Sequence, residues 1–260
     1  MAEYPLILAI ETATGCGSVS LTRGGVTDGM VLGEITAQPK TTHSRRLLGS
    51  VATLLETAGI GWDDLDGVAV SLGPGSFTGL RIGMAAAKGI AMATGLPMLG
   101  VASLDGLALG CPHAALPLCC VLDARKKQVY AAMYSYDRHG VPVRQGKIRA
   151  VEPAALAASI TTPTLLFGPA VSVYGKELAA TDLIRPLPRS LAVMRAAPVG
   201  LLAADRLRRG EVLDAATVAP LYIRASEAEL NRERQQSRKG SAGREGEDNR
   251  CSGKRPGKSG

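Results

Sequence analysis

At 260 residues the chain holds one or two domains of ordinary size. Its 46% apolar and 20% charged residues support a sizeable core and exclude global disorder. Aromatics make up 3%, too few for a stacking groove on single-stranded nucleic acid, and three histidines (His43, His113, His139) leave little for a His-rich metal site. The net charge of +7 is concentrated at one end. Residues 231–260 carry nine Lys/Arg against four Asp/Glu and no Leu, Ile, Val, Phe, Tyr or Trp. Such a segment buries too little apolar area to offset ordering entropy and is expected to be a solvated basic tail. Attraction for RNA and a plain solubilising role are both open for it.

The five cysteines, Cys16, Cys111, Cys119, Cys120 and Cys251, are odd in number and form no C-x-x-C. A disulfide framework or zinc ribbon does not fit, and a reducing cytoplasm is the expectation. Glu3 and Glu11 flank the first apolar run, unlike a secretory signal. The uncharged stretch 153–175 is long enough for a bilayer, but Pro163, Pro169 and three threonines make it a poor membrane helix. No membrane partner is expected.

Short apolar runs at 6–10, 18–22 and 30–35, separated by Gly15-Cys16-Gly17 and Arg23-Gly24-Gly25, predict an antiparallel meander. The period then changes. Leu47, Leu48, Val51, Leu54, Leu55 and Ala58 fall on one helical face, which Gly59 ends. A buried strand over 67–72 leads into the glycine loop Gly73-Pro74-Gly75-Ser76-Phe77-Thr78-Gly79 and a helix over 80–94. A strand at 97–101 and a helix from Ser103 to Leu109 follow. A second unit begins near Pro117, with strands at 118–122 and 128–136, a Pro-initiated helix at 153–159, a strand at 164–167 and a helix at 199–209. The apolar segment 218–223 is the last before the tail.

The glycine loop leaves a strand and enters a helix N-terminus, where free N–H groups favour an anion. It matches neither familiar phosphate motif. Leu80-Arg81 follow Gly79 where a Walker A loop needs Lys and Ser/Thr, and Gly79 lies four residues after Gly75 rather than the three of a dinucleotide loop. Residue chemistry alone favours glycines that let the helix sit close to the sheet. The first loop holds Glu11, Thr12 and Thr14, at a place where phosphotransferases of the actin/sugar-kinase type bind Mg²⁺ and phosphate. Glu11 is longer than the usual Asp and has no basic neighbour in sequence, so only a weak nucleotide contact is considered. The histidines form no H-x-x-x-H pair, no G-x-S-x-G elbow occurs, and His43 reads as a helix cap or surface residue. In the second helix Gly79, Gly83, Ala87 and Ala91 recur at i+4, beside a row of Ile82, Ala86 and Ile90. Small and apolar residues around much of that helix suggest two covered faces, one of them on a protein partner.

The run Gly73 to Gly83, GPGSFTGLRIG, resembles the signature of the TsaB (YeaZ) family of bacterial tRNA threonylcarbamoyladenosine biosynthesis proteins. Ile7-Leu8-Ala9-Ile10-Glu11-Thr12, His43-Ser44, and Asp123-Ala124-Arg125 with Val129-Tyr130 agree in order and spacing, and the resemblance covers roughly 1–225. It implies an α/β fold of the actin/Hsp70/sugar-kinase (ribonuclease-H-like) type in two lobes, the second reduced. The expected division is a lobe at 1–110, a reduced lobe at 111–225 and the tail at 226–260. It further implies a cytoplasmic, non-catalytic subunit. The catalytic TsaD paralogue would carry out transfer of threonylcarbamoyl to N6 of adenosine 37 in tRNAs reading ANN codons. The TsaE ATPase is a further implied partner, tRNA is met through the complex, and the chain alone is open to homodimerisation. No cofactor is expected for this chain; ATP and metal belong to the partner subunits. The partner surface is expected on the two N-terminal helices, at Leu47, Leu48, Val51, Leu54, Leu55, Ile82, Gly83, Ala86, Ala87 and Ile90. A small-molecule kinase of the same fold is the alternative; a metalloprotease lacks the ligands it needs.

Overall fold

The computed structural model describes residues 3–37 and 44–223; the expectations for His43 and the tail at 226–260 lie outside the described residues. The meander is β1 (Leu6–Glu11), β2 (Gly17–Arg23) and β3 (Met30–Ala37). Helix α1 (Ser44–Ala58) crosses over to β4 (Gly67–Gly73), and α2 (Phe77–Thr94) crosses over to β5 (Met98–Ala102). The strand order is β3-β2-β1-β4-β5, with β4 parallel to β1 and β5 parallel to β4. Parallel neighbours need a long connection, which is why the helical periodicity starts after β3. In β1, Leu6, Leu8 and Ile10 join the core under α1 and α2, while Ile7 and Ala9 face the other side. Both faces are covered, so the strand reads as an unbroken apolar run.

After α3 (Ser103–Leu109) the pattern repeats as β6 (Leu118–Arg125), β7 (Gln128–Tyr136), β8 (Pro142–Val151), α4 (Pro153–Ser159), β9 (Thr164–Phe167), α5 (Val171–Leu178) and β10 (Ile184–Pro186). Read from β8, the second sheet runs β8-β7-β6-β9-β10, the same order as the first. The crossover helices shrink from 15 and 18 residues to seven and eight. The chain therefore has the expected ribonuclease-H-like α/β fold with a reduced second lobe.

The expected boundary at residue 110 does not describe the packing. Helix α6 (Ala196–Arg208), which follows the second sheet, buries Ala196, Val199, Ala203 and Ala204 against Ile7, Ala9, Leu99 and Val101 of the first. Ala196 N donates to Ser18 Oγ at 3.0 Å and Ala197 N to Glu34 Oε1 at 2.9 Å, so two free N–H groups of the helix start are satisfied by the meander. Helix α3 does the reverse. Its Leu104, Leu107 and Ala108 join the core of the second sheet with Cys120, Leu122, Ala132 and Tyr134. Each sheet is thus covered on one face by the helix that follows the other.

Candidate functional site

The glycine loop closes on the end of β1. Ser76 caps α2: its backbone N–H donates to Ala13 O at 2.6 Å, and its Oγ accepts from Gly79 N at 3.3 Å. Thr12 Oγ1 donates to Gly79 O at 2.8 Å. A Cβ on Gly75 would lie 2.3 Å from Ala13 O, one on Gly79 2.1 Å from Thr12 O, and one on Gly83 2.2 Å from Thr12 Oγ1. The glycines are therefore the condition for α2 to lie against the first loop, as the residue chemistry favoured. Two N–H groups that an anion would need are spent on Ala13 and Ser76. Over the loop, Arg81 lies 3.9 Å from the Phe77 ring centroid, and Phe77 packs on Tyr222 with centroids 5.3 Å apart. Arg81 Nε donates to Tyr222 Oη at 3.3 Å. The segment carrying Tyr222 is tied down by Leu221 N donating to Leu72 O at 2.7 Å. The sequence showed 218–223 as an apolar run but not that it seals the loop.

Glu11 is fully buried. Its Oε1 accepts from Ala13 N at 2.5 Å, while Oε2 has no hydrogen-bond partner among the described residues. Burial outweighs the Ala13 N–H and pushes the carboxyl up to about 7. Thr14 Oγ1 accepts from Cys16 N at 3.2 Å in a local turn. A Mg²⁺–nucleotide needs an ionised, accessible carboxylate and open phosphate-binding N–H groups. Buried Glu11, engaged Thr12 and turn-bonded Thr14 do not fit one. The thiols are unsuited to nucleophilic chemistry as well: burial pushes Cys16 up to about 11 and Cys119 to about 12. Among the described residues no group of His, Cys, Asp and Glu is placed to hold a metal ion, and no helix is long and apolar enough to cross a membrane.

The expected partner surface needs correction. Leu47, Val51, Leu54, Leu55, Gly83, Ala87 and Ile90 are buried within the chain's own first lobe, because the i, i+3, i+4 stripes of α1 and α2 are the faces that cover the sheet. Ile82 and Ala86 are half-buried at the edge of that core, and Leu48 is exposed. The outward face of α2 runs through Ile82, Ala85, Ala86, Gly89, Met92 and Ala93 at helical offsets, with Arg81 and Lys88 along its edge beside Met92. Met92 is 77% exposed, the highest value among the large apolar side chains of the described residues. Reading both stripes as partner surface missed that one face of each helix must first cover its own sheet.

Two sheets, each a meander extended by two parallel strands, define a two-lobed protein of the ribonuclease-H-like α/β class. The family model described as TsaD: tRNA N6-adenosine threonylcarbamoyltransferase matches residues 30–232. The structure of YeaZ from Pseudomonas aeruginosa superposes with a TM-score of 0.72 at 28% identity, covering 84% of this chain and 99% of that one. The tRNA threonylcarbamoyladenosine biosynthesis protein TsaB of Escherichia coli (strain K12) is 39% identical over 137 residues, 52% of this chain and 57% of that protein. An uncharacterized protein of Mycobacterium tuberculosis is 36% identical over 226 residues, 87% of this chain and 95% of that protein. The chain belongs to the TsaD family and within it is of the TsaB/YeaZ type.

Proposed function

We propose that this chain works in tRNA threonylcarbamoyladenosine biosynthesis as a subunit that binds a catalytic TsaD-type paralogue and performs no transfer itself. The carrying observation is the small-residue and apolar outward stripe of α2, edged by Arg81 and Lys88, where small residues let a second backbone approach and Ile82 and Met92 offer apolar contact. A paralogue of the same fold would present the matching helices. The burial of Glu11 and the packing of the glycine loop on Thr12 and Ala13 support a subunit without nucleotide chemistry. On this reading ATP and metal belong to the paralogue and to a TsaE-type ATPase, and tRNA is met in the assembled complex. Self-association of the lone chain through the same face is part of the proposal.

Reconstitution tests it. Purified chain, paralogue, ATPase and threonylcarbamoyl-adenylate are combined with tRNA, and the modified nucleoside is quantified by mass spectrometry. Transfer that requires both this chain and the paralogue is the expected result. Transfer by this chain alone would refute the reading, and ATP turnover by the isolated chain would favour a kinase of the same fold.

A further inference from the structure

We propose that a concavity on the second sheet, at an irregularity between β7 and β8, docks the phosphate backbone of RNA. The choice of RNA rests on the tRNA-modification reading above. The register runs from Ala131 opposite Arg149 to Met133 opposite Gln145, so Gly146, Lys147 and Ile148 stand against Ala132 alone. This is a bulge of two extra residues. Gly146 takes a φ of +79° there, and nothing lies within 4 Å of where its Cβ would be. The result is a cavity of about 220 Å³, floored by Cys119, Ala131 and Leu156 and rimmed by Gln145, Lys147 and Arg149. The three rim residues alternate along β8 on the face that the cavity occupies.

The charge around the cavity is unbalanced. Residues 118–152 carry seven Lys/Arg and three acids, Asp123, Asp137 and the exposed Glu152 at the start of α4. Asp123 accepts from Arg125 N and pairs with the Arg125 guanidinium; Asp137 accepts from His139 N and Val141 N. Arg144, on the opposite face of β8, is taken up by Asp105 at 3.4 Å. Among the described residues no acid lines the cavity and none pairs with Lys147 or Arg149. Two cations on the rim of a concave site match a phosphate by charge and by donors, and an RNA strand supplies phosphates at regular spacing. A lone edge-strand lysine serves to block sheet-to-sheet pairing. That role requires neither the second cation nor the cavity.

The test is fluorescence anisotropy with an unmodified, end-labelled tRNA transcript and the full chain, across a salt series. Lys147→Ala/Arg149→Ala is compared with Lys176→Ala/Arg185→Ala, which removes two exposed cations elsewhere in the second lobe and leaves the rest of the chain identical. Lys147→Gln/Arg149→Gln keeps side-chain length should the alanine pair lower the melting temperature. The expected result is about tenfold weaker binding for the β8 pair. Its slope of log K against log salt should fall by about 2, close to the ~0.9 expected for each phosphate no longer neutralised. The control pair should stay near wild type. Equal losses in both pairs, no binding by wild type, or displacement by polyglutamate as readily as by RNA would overturn the assignment. Partner-dependent transfer is not read in this assay, so failure here leaves the subunit role standing, and failure of that role leaves the binding result standing.

Discussion

Thr12 touches two glycines of α2, and its surroundings explain why the signature run tolerates so little side chain. A methyl group at Gly79 would stand 2.1 Å from Thr12 O, a backbone atom that cannot swing away. Gly79→Ala should therefore destabilise the fold by about 1–3 kcal/mol, the usual cost of overpacking, read as a lower denaturation midpoint. Glu11 makes a prediction of a different kind. Its folded pKa of about 7 lies above its ordinary value of 4.5, so the folded state holds the proton more tightly than the unfolded chain. Stability from this group is full below pH 4.5, falls as the pH rises toward 7 and is flat above it. The loss is on the order of 3 kcal/mol. Glu11→Gln keeps an acceptor for Ala13 N and removes the titration. Denaturant unfolding from pH 5 to 8 should show a shallower pH slope for the variant and higher stability than wild type at pH 8. These interactions were only half legible in the sequence. The glycine spacing pointed to close packing, but the residue that fills the space lies 67 positions away in the Thr12–Gly79 pair. The burial of Glu11 left no trace in the local pattern.

Helix α2 presents two faces with opposite consequences for substitution. Ala87 is fully buried, so Ala87→Arg forces an unpaired charge into the core and should lower the melting temperature sharply. Gly89 faces open space, and its replacement gains helix propensity, so Gly89→Arg should fold at least as well as wild type. It nevertheless places a long cation on the proposed partner face and should abolish binding to the paralogue in a pull-down. A Gly89→Arg chain that binds normally would move the partner surface off α2. At the C-terminal end of the described chain, Tyr222→Ala removes the Phe77 ring stacking and the Arg81 bond and should cost about 1 kcal/mol in chemical unfolding. The element pattern itself was largely legible: the meander, α1, α2 and the strand-to-loop step were all carried by period and glycine placement. Strand β8 was missed because Arg144, Lys147 and Arg149 and the kink at Gly146 interrupt its alternation. Helix α5 and β10 were missed because segments of eight and three residues hold too few positions to show a period.

The repeated strand order of the two lobes was invisible in the sequence, since the lobes share topology and not residues. Equally hidden was the exchange of α3 and α6, whose α6 half packs on β1 residues about 190 positions away and on β5 residues about 100 away. That exchange makes the lobes interdependent. Denaturant unfolding followed by the fluorescence of the single tryptophan, Trp62 of the first lobe, should coincide with the near-ultraviolet signal of the tyrosines, several of which lie in the second. Two separated transitions would contradict the interdependence. The same arrangement constrains how the chain is made. Ile7, Ala9, Leu99 and Val101 are synthesised early, yet the helix that shields them is among the last described segments to leave the ribosome. At about 5–20 residues per second, the nascent first sheet waits several seconds or more with one apolar face bare. The emerging chain offers a holding chaperone a binding surface that disappears when α6 docks.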